Sequence, residues 1–389
     1  MISPLRLELS ESALKDLVDS GATESKFLDF KKTLPSREEK SRSELLKDIC
    51  AFANCEGGYL LYGIEEKSGQ ASKVCPISDE VGDHAIRRLG QIIEAGIEPR
   101  VSGIQFTAID FEDGYVLAVR VPASFDGPHR FSSNGNSRFV MRNGTHTSEL
   151  TYTQLRNAFD RTASLADRAR TTWLERWKST SNGKTWKPLR KVPICLVQFA
   201  PLVSMSGRQM ISMNEAQEHY THFMFSDWNG ASSTYNLDGL VVHYGDVTSD
   251  VGAFTQVHRT GVIEAYRTAG GLWDDKKIIP STTVATFFRE AISKFLGAAT
   301  TFGLYGPAIL NAAILDVVDY EFALGEHFYS RGPAVADRAN LVLPEVWIED
   351  VMSPDSVDEI ARPILDILWQ AFGRPTCSVY NQDGIWTPR

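Results

Sequence analysis

The chain has 389 residues, of which 43% are hydrophobic, 23% charged and 10% aromatic. Those proportions exclude a wholly disordered chain, a collagen-like repeat and a disulfide-bonded miniprotein, and the length calls for at least two domains. The net charge of −9 argues against a polyanionic partner until it is divided: residues 1–190 hold 27 Lys and Arg against 26 Asp and Glu, whereas 191–389 hold 13 against 23.

The Met1–Glu8 segment lacks an apolar stretch and is not expected to be a signal peptide. Ser10 precedes Ala13, Leu14, Leu17 and Val18, which predicts a capped amphipathic helix ending near Gly21. Phe27–Lys31 is a short strand, and Arg37–Asn54 is a helix with Leu45, Leu46, Ile49 and Phe52 on its period. Tyr59–Ile64 is a continuous apolar run between glycines, expected to be a buried central strand before a charged turn over Glu65–Gly69. A helix over Asp83–Ala95 ends before Pro99. Ile104–Asp110 and Tyr115–Val121 form a hairpin around Glu112-Asp113-Gly114. After a polar loop over Ser124–Ser137, Arg138–Arg142 is a strand with an Asn143-Gly144 turn, and Thr151 caps a helix over Tyr152–Asp160.

The stretch Arg161–Arg190 is basic and carries Trp173, Trp177 and Trp186, which predicts a helix and then a polar linker. Its tryptophans either stack RNA bases or pack on a domain, at i, i+4 spacing for the first two. Beyond it Val192–Phe199, Leu240–His243 and Thr255–His258 read as strands, and Val284–Leu296 and Asp358–Phe372 as helices. The expected fold class is α+β, with domains over 1–160 and 191–389 and the basic helix and linker, 161–190, between them.

Phe295–Val318 is the most apolar stretch, but Asp316, Asn311 and Pro307 make it core rather than one of the roughly 18 or more apolar residues of a membrane span. Cys50, Cys55, Cys75, Cys195 and Cys377 have neither disulfide-framework nor zinc spacing, which suits the cytoplasm. His219, His222, His243 and His258 lack metal-like spacing and are expected to be structural.

Chemistry is concentrated between Glu24 and Gly63. The order is Glu24-x4-Asp29-Phe30-Lys31, then Ala51-Phe52-Ala53-Asn54-x-x-Gly57-Gly58-Tyr59, then Gly63-Ile64-Glu65-Glu66. Arg138-Phe139-Val140-x-Arg142-x-Gly144-x-x-Thr147 follows later. These motifs, over residues 10–160, resemble the Schlafen domain, also called AlbA-type or divergent AAA. The resemblance implies an α+β domain that binds nucleic acid. In vertebrate members two such lobes form a metal-dependent endoribonuclease acting on tRNA and rRNA, and three carboxylates carry the reaction. Residue by residue these fall on Glu24, Asp29 and Glu65 or Glu66; Asp at 29 and the paired glutamates depart from the commonest pattern.

Clustered carboxylates hold Mg²⁺ or Mn²⁺ through oxygen ligands, and Lys31 would offset charge on the scissile phosphate. Glu24 and Asp29 converge only if the chain bends near Ser25-Lys26, because an odd spacing on one strand points them to opposite faces. Lys32, Arg130, Arg138, Arg142, Arg168 and Arg170 are candidate nucleic-acid contacts. The alternative for the acids is a set of surface charges, and for Gly57-Gly58 a plain helix-to-strand turn. No Gly-x4-Gly-Lys-Ser/Thr supports a phosphate loop. The resulting expectation is a cytoplasmic, metal-dependent endoribonuclease acting on structured RNA such as tRNA, in a bacterial antiviral setting by family habit. One signature per chain predicts a homodimer. A DNA- or RNA-binding regulator whose C-terminal domain senses a ligand is the alternative, and no membrane partner is expected.

Overall fold

The computed structural model describes residues 9–124, 126–133, 135–207, 210–245, 250–324, 333–352, 354–381 and 383–387. The expectation about Met1–Glu8 lies outside them. The chain is α+β and divides into two compact units, Met1–Ala163 and Ser164–Arg389.

In the first unit Ser10 caps helix α1 (Glu11–Asp19), its hydroxyl accepting the Ala13 N–H at 3.2 Å. Strand β1 (Leu28–Lys31) lies parallel to β2 (Gly57–Tyr62), with helix α2 (Glu39–Ala53) as the crossover that parallel neighbours require. A hairpin not anticipated from sequence comes next, β3 (Ile64–Lys67) and β4 (Gln70–Val74). Its turn is only Ser68-Gly69, at φ 55° and 75°, so Glu65 and Glu66 are strand residues and not part of the turn.

Helix α3 (Gly82–Gly96), the short β5 (Ile97–Glu98) and the expected hairpin of β6 (Gln105–Phe111) and β7 (Gly114–Pro122) follow. Within the expected polar loop stands β8 (Arg130–Ser133), paired with β9 (Asn136–Asn143), and β10 (His146–Glu149) closes the group. β9 contains the strand expected over Arg138–Arg142, whereas the short, polar β8 and β10 offer little of the apolar alternation that reveals a strand in sequence.

The unit holds two four-stranded sheets, ordered β1-β2-β7-β6 and β10-β9-β8-β5. Every residue of β2 is buried because both faces are covered. Leu60 and Tyr62 join the core formed with Leu45, Ile49 and Phe52 of α2, while Tyr59 and Leu61 join the one containing Leu14 of α1.

Helix α4 (Tyr152–Ser181) runs well past the expected end at Asp160, and the boundary between the units falls within it. The second unit contains β11 (Ile194–Pro201), α5 (Met213–Glu218), β12 (Ser232–Tyr235), β13 (Gly239–Tyr244), β14 (Ala253–His258) and β15 (Ile263–Thr268). After β16 (Gly271–Trp273) and β17 (Lys276–Pro280) come α6 (Ser281–Thr301), β18 (Ala308–Leu315), β19 (Glu321–Ala323), β20 (Leu341–Val342), β21 (Val346–Ile348) and α7 (Val357–Ala371).

An antiparallel sheet ordered β12-β13-β14-β15-β11-β18-β20, with β21 beside β18, forms its centre. Helices α6 and α7 supply Phe287, Phe295, Leu368 and Trp369 to the core on one face. Leu196, Tyr266 and Ala313 instead pack with Trp173, Trp177 and Trp186, so these tryptophans serve packing. The apolar stretch Phe295–Val318 is largely core, and among the described residues no helix is long and apolar enough to cross a membrane.

Candidate phosphodiester site

The required bend exists. Ser25 and Leu28 exchange backbone hydrogen bonds at 3.0 and 3.4 Å, a tight turn that brings Glu24 back so that its Oε1 accepts the Phe30 N–H at 3.1 Å. On β1, Leu28 and Phe30 join the core with α1, which turns Asp29 and Lys31 toward the opposite face. There Asp48 of α2 and Arg142 of β9 meet them. Together with Lys32, Glu44, Lys47, Glu65, Glu66 and His146 these residues line a cleft of about 680 Å³.

Asp29 is 4% exposed and both of its oxygens are taken. Lys31 Nζ donates to Oδ1, and Arg142, its side chain fully buried, donates to Oδ2 at 2.6 Å. Burial alone would push the Asp29 carboxyl up, but Lys31 and Arg142 outweigh it and hold the pKa below the ordinary value. Burial raises Glu24, and the neighbouring Asp29 carboxyl adds to the shift against the Phe30 N–H. Burial works against the charge of Lys31, yet Asp48 and Asp29 outweigh it and raise its pKa.

Asp48 was not among the residues singled out from sequence. It is 6% exposed, lies 3.8 Å from Lys31, and burial pushes its carboxyl up to about 6. The only sequence signal is its place one helical turn before Phe52, since i and i+4 share a helix face. Three carboxylates, Glu24, Asp29 and Asp48, thus gather around Lys31, and Arg142 pairs with Asp29.

The Phe-Ala-Asn-x-x-Gly-Gly motif builds this arrangement. Phe52 lies under the Arg142 guanidinium, 4.7 Å from ring centroid to Cζ. Asn54 Nδ2 donates to the His129 and Val140 carbonyls, both at 2.8 Å, and its Oδ1 accepts the His129 N–H at 2.7 Å, tying α2 to β9. Gly57 has φ 78°, where a side chain is strained, and any Cβ at Gly58 would collide with the Phe52 ring. The glycines therefore do more than turn the chain: Gly58 leaves room for the ring that seats Arg142, and Gly57 lets the backbone of β7 approach.

The remaining predicted residues are placed differently. Glu65 pairs with Lys32 at 2.8 Å, while Glu66 accepts the Gly69 N–H at 2.6 Å and secures the hairpin turn. Arg130 pairs with Glu98 at 2.5 Å and Arg138 lies 3.7 Å from Glu149. Arg142 is buried against Asp29 and is a scaffold for the site, not a free contact for a phosphate backbone. Arg168 donates to the Met205 carbonyl and Arg170 holds Glu345 through two nitrogens, so both stabilise the second unit.

The carboxylates have the hard oxygen chemistry that Mg²⁺ and Mn²⁺ favour. Their positions do not fit a resident ion: Asp29 is saturated by two cations, Glu65 is held by Lys32, and Glu66 caps a turn. Among the described residues no group of three or more His, Cys, Asp or Glu side chains is placed to hold a metal.

Residues 24–151 match the Schlafen, AlbA_2 family. The first unit carries a Schlafen AlbA_2 domain. Among solved structures, the DIP2311 protein from Corynebacterium diphtheriae is similar at 20% identity over 35% of this chain and 25% of its own, with a TM-score of 0.25. The N-terminal domain of a DNA helicase RecG-related protein from Nitrosomonas europaea is similar at 17% identity over 35% of this chain and 90% of its own, with a TM-score of 0.26. The chain thus spans a quarter of the first of these proteins. No curated protein matches it.

Proposed function

We propose that the AlbA_2 unit binds structured RNA such as tRNA and cleaves it at the Glu24–Asp29–Asp48 cleft. The observation that supports this reading best is the convergence of Glu24, Asp29 and Asp48 around Lys31, with Arg142 pairing Asp29 and with burial raising the Glu24 carboxyl and pushing Asp48 up to about 6. Asp48, at about 6, exchanges its proton near the working pH, and Glu24, raised by burial, is a stronger base than an ordinary carboxylate, which are the two roles general acid–base catalysis needs.

RNA suits these residues better than DNA because it carries its own nucleophile. Glu24 takes the proton of the 2′-hydroxyl, the 2′-oxygen attacks phosphorus, and the P–O5′ bond breaks. The leaving 5′-oxygen receives its proton from the Asp48 carboxylic acid, which gives a 2′,3′-cyclic phosphate and a 5′-hydroxyl. Lys31 offsets charge on the phosphoryl oxygens, and Arg142 keeps Asp29 ionised so that Lys31 stays in place.

A second reading, a non-catalytic nucleic-acid-binding regulator, is favoured by the saturation of Asp29, which is also what a structural ion-pair network does. Labelled tRNA and DNA, incubated with the protein in EDTA and in Mn²⁺, separate the possibilities. Expected are RNA cleavage in EDTA, cyclic-phosphate ends, intact DNA, and losses of at least about 100-fold in both Glu24→Gln and Asp48→Asn, the usual range for one acid–base group. Tight binding without cleavage in either condition supports the regulator. Cleavage in Mn²⁺ alone would overturn the proton-transfer scheme and restore the metal-dependent form that the family resemblance implies. The proposal includes pairing of two chains; a strictly monomeric mass by light scattering at micromolar concentration would count against that part.

A further inference from the structure

The candidate site has a difficulty as a landing place for RNA: its cleft is lined by six carboxylates against four Lys and Arg side chains. A phosphate backbone would be repelled there unless cations held it nearby.

A second, larger cleft of about 1050 Å³ in the same unit has the opposite balance, with Arg37, Arg42, Arg87 and Arg88 against Asp79 and Glu80. Glu80 is already neutralised, because Arg88 binds both of its oxygens at 2.9 and 2.6 Å. Arg37 and Arg87 are exposed and make no hydrogen bond or close ion pair among the described residues, and Arg37 faces Glu80 from a distance. On α3, His84, Arg87, Arg88 and Gln91 follow the i, i+3, i+4, i+7 spacing of one helix face. Val81, 64% exposed, and the half-buried Leu34 and Ile92 add apolar wall. Free guanidinium groups, an imidazole and a small apolar wall are what an unpaired RNA strand uses, through phosphate contacts and base stacking.

The two clefts share their supporting elements. Lys31 and Lys32 line the carboxylate cleft, whereas residues 34–37 of the same connection line the arginine cleft; on α2, Arg42 faces the arginine cleft and Glu44 and Asp48 the other. Lys32 and Leu34 are two residues apart, at most about 7 Å along the chain.

We propose that the arginine cleft is the RNA-backbone site of this unit, holding single-stranded nucleotides flanking the phosphate that enters the carboxylate cleft. This rests on the RNA reading given under Proposed function. Arg37 and Arg87 make the phosphate contacts, and the stacking surface is His84 with Val81.

Fluorescence anisotropy of a short labelled single-stranded RNA, measured in the non-cleaving Glu24→Gln background at several salt concentrations, tests it. Arg37→Ala/Arg87→Ala is expected to weaken binding about 10-fold or more and to flatten the slope of log K against log salt by about 1.4, at roughly 0.7 per single-strand phosphate contact. Arg37→Lys/Arg87→Lys, which keeps the charge, is expected to retain most of the slope, and circular dichroism melting checks that both variants fold. Unchanged affinity and slope in the folded double-alanine variant would overturn the arginine-cleft assignment while leaving RNA binding intact. Binding of labelled tRNA but not of the single strand would also overturn the arginine-cleft assignment, and binding of neither by the parent protein would overturn the RNA reading itself, and this assignment with it.

Discussion

Asp48 shows how one residue can cost stability at a place where the proposed reaction needs it. Its folded-state pKa of about 6 lies above the ordinary 3.8, chiefly through burial, so the folded protein binds this proton more tightly than the unfolded chain does. Stability from this group is therefore fully present below about pH 4, is lost as pH rises toward 6, and is flat above. Asp48→Asn is expected to be more stable than the parent at pH 8 by about 3 kcal/mol and to converge with it near pH 4, in denaturant titrations at the two pH values. An equal difference at both would show that Asp48 is not the buried acid described. The same variant is expected to lose cleavage, a trade of activity for stability.

At the scale of elements, α4 is tied to the second unit by a charge. Arg176 donates to Glu264 at 2.9 Å, and Glu264, completely buried, also accepts from Gln198 at 2.9 Å and Tyr266 at 2.9 Å and pairs with His258 at 3.1 Å. Burial pushes the Glu264 carboxyl up, but His258 and Arg176 outweigh it and bring it down to about 2. His258 thus has a carboxylate partner on the neighbouring strand, fourteen being paired with fifteen, and its role is structural. Removing one partner of a buried pair leaves a charge without compensation, so Arg176→Ala is expected to destabilise the second unit by about 3 kcal/mol, against a few tenths for Arg156→Ala on the exposed part of the helix. Thermal melts of the two variants read this directly; equal melting temperatures would contradict it.

For the whole molecule, the second unit begins inside α4 and not after the basic stretch. Trp173, Trp177 and Trp186 pack with Leu196, Tyr266 and Ala313, and Arg176 compensates Glu264. A fragment covering 164–389 is expected to unfold cooperatively. One covering 191–389 is expected to show a weak or absent transition and to bind a hydrophobic dye, because it exposes that sheet face and strands Glu264. Equal cooperativity of the two fragments would refute the role given to α4.

By itself the sequence determined the elements with strong apolar period, α1 to α3, β2, the β6–β7 hairpin, α6 and α7, because burial of one stripe or run is written in residue type. It also pointed to the family of the first unit and set the condition for Glu24 and Asp29 to meet, a bend near Ser25-Lys26, because an odd spacing on one strand sends them to opposite faces. Only the tertiary structure decided the partners. Asp48 lies on a different element from Asp29 and Arg142 is far along the chain, so neither spacing nor period could reveal that one carboxylate would be saturated and another left short of charge. The net charge of −9 likewise gave no hint that one unit places an acid-rich cleft beside an arginine-rich one. Composition counts charges, whereas the strand pleat and the helix face decide which of them meet.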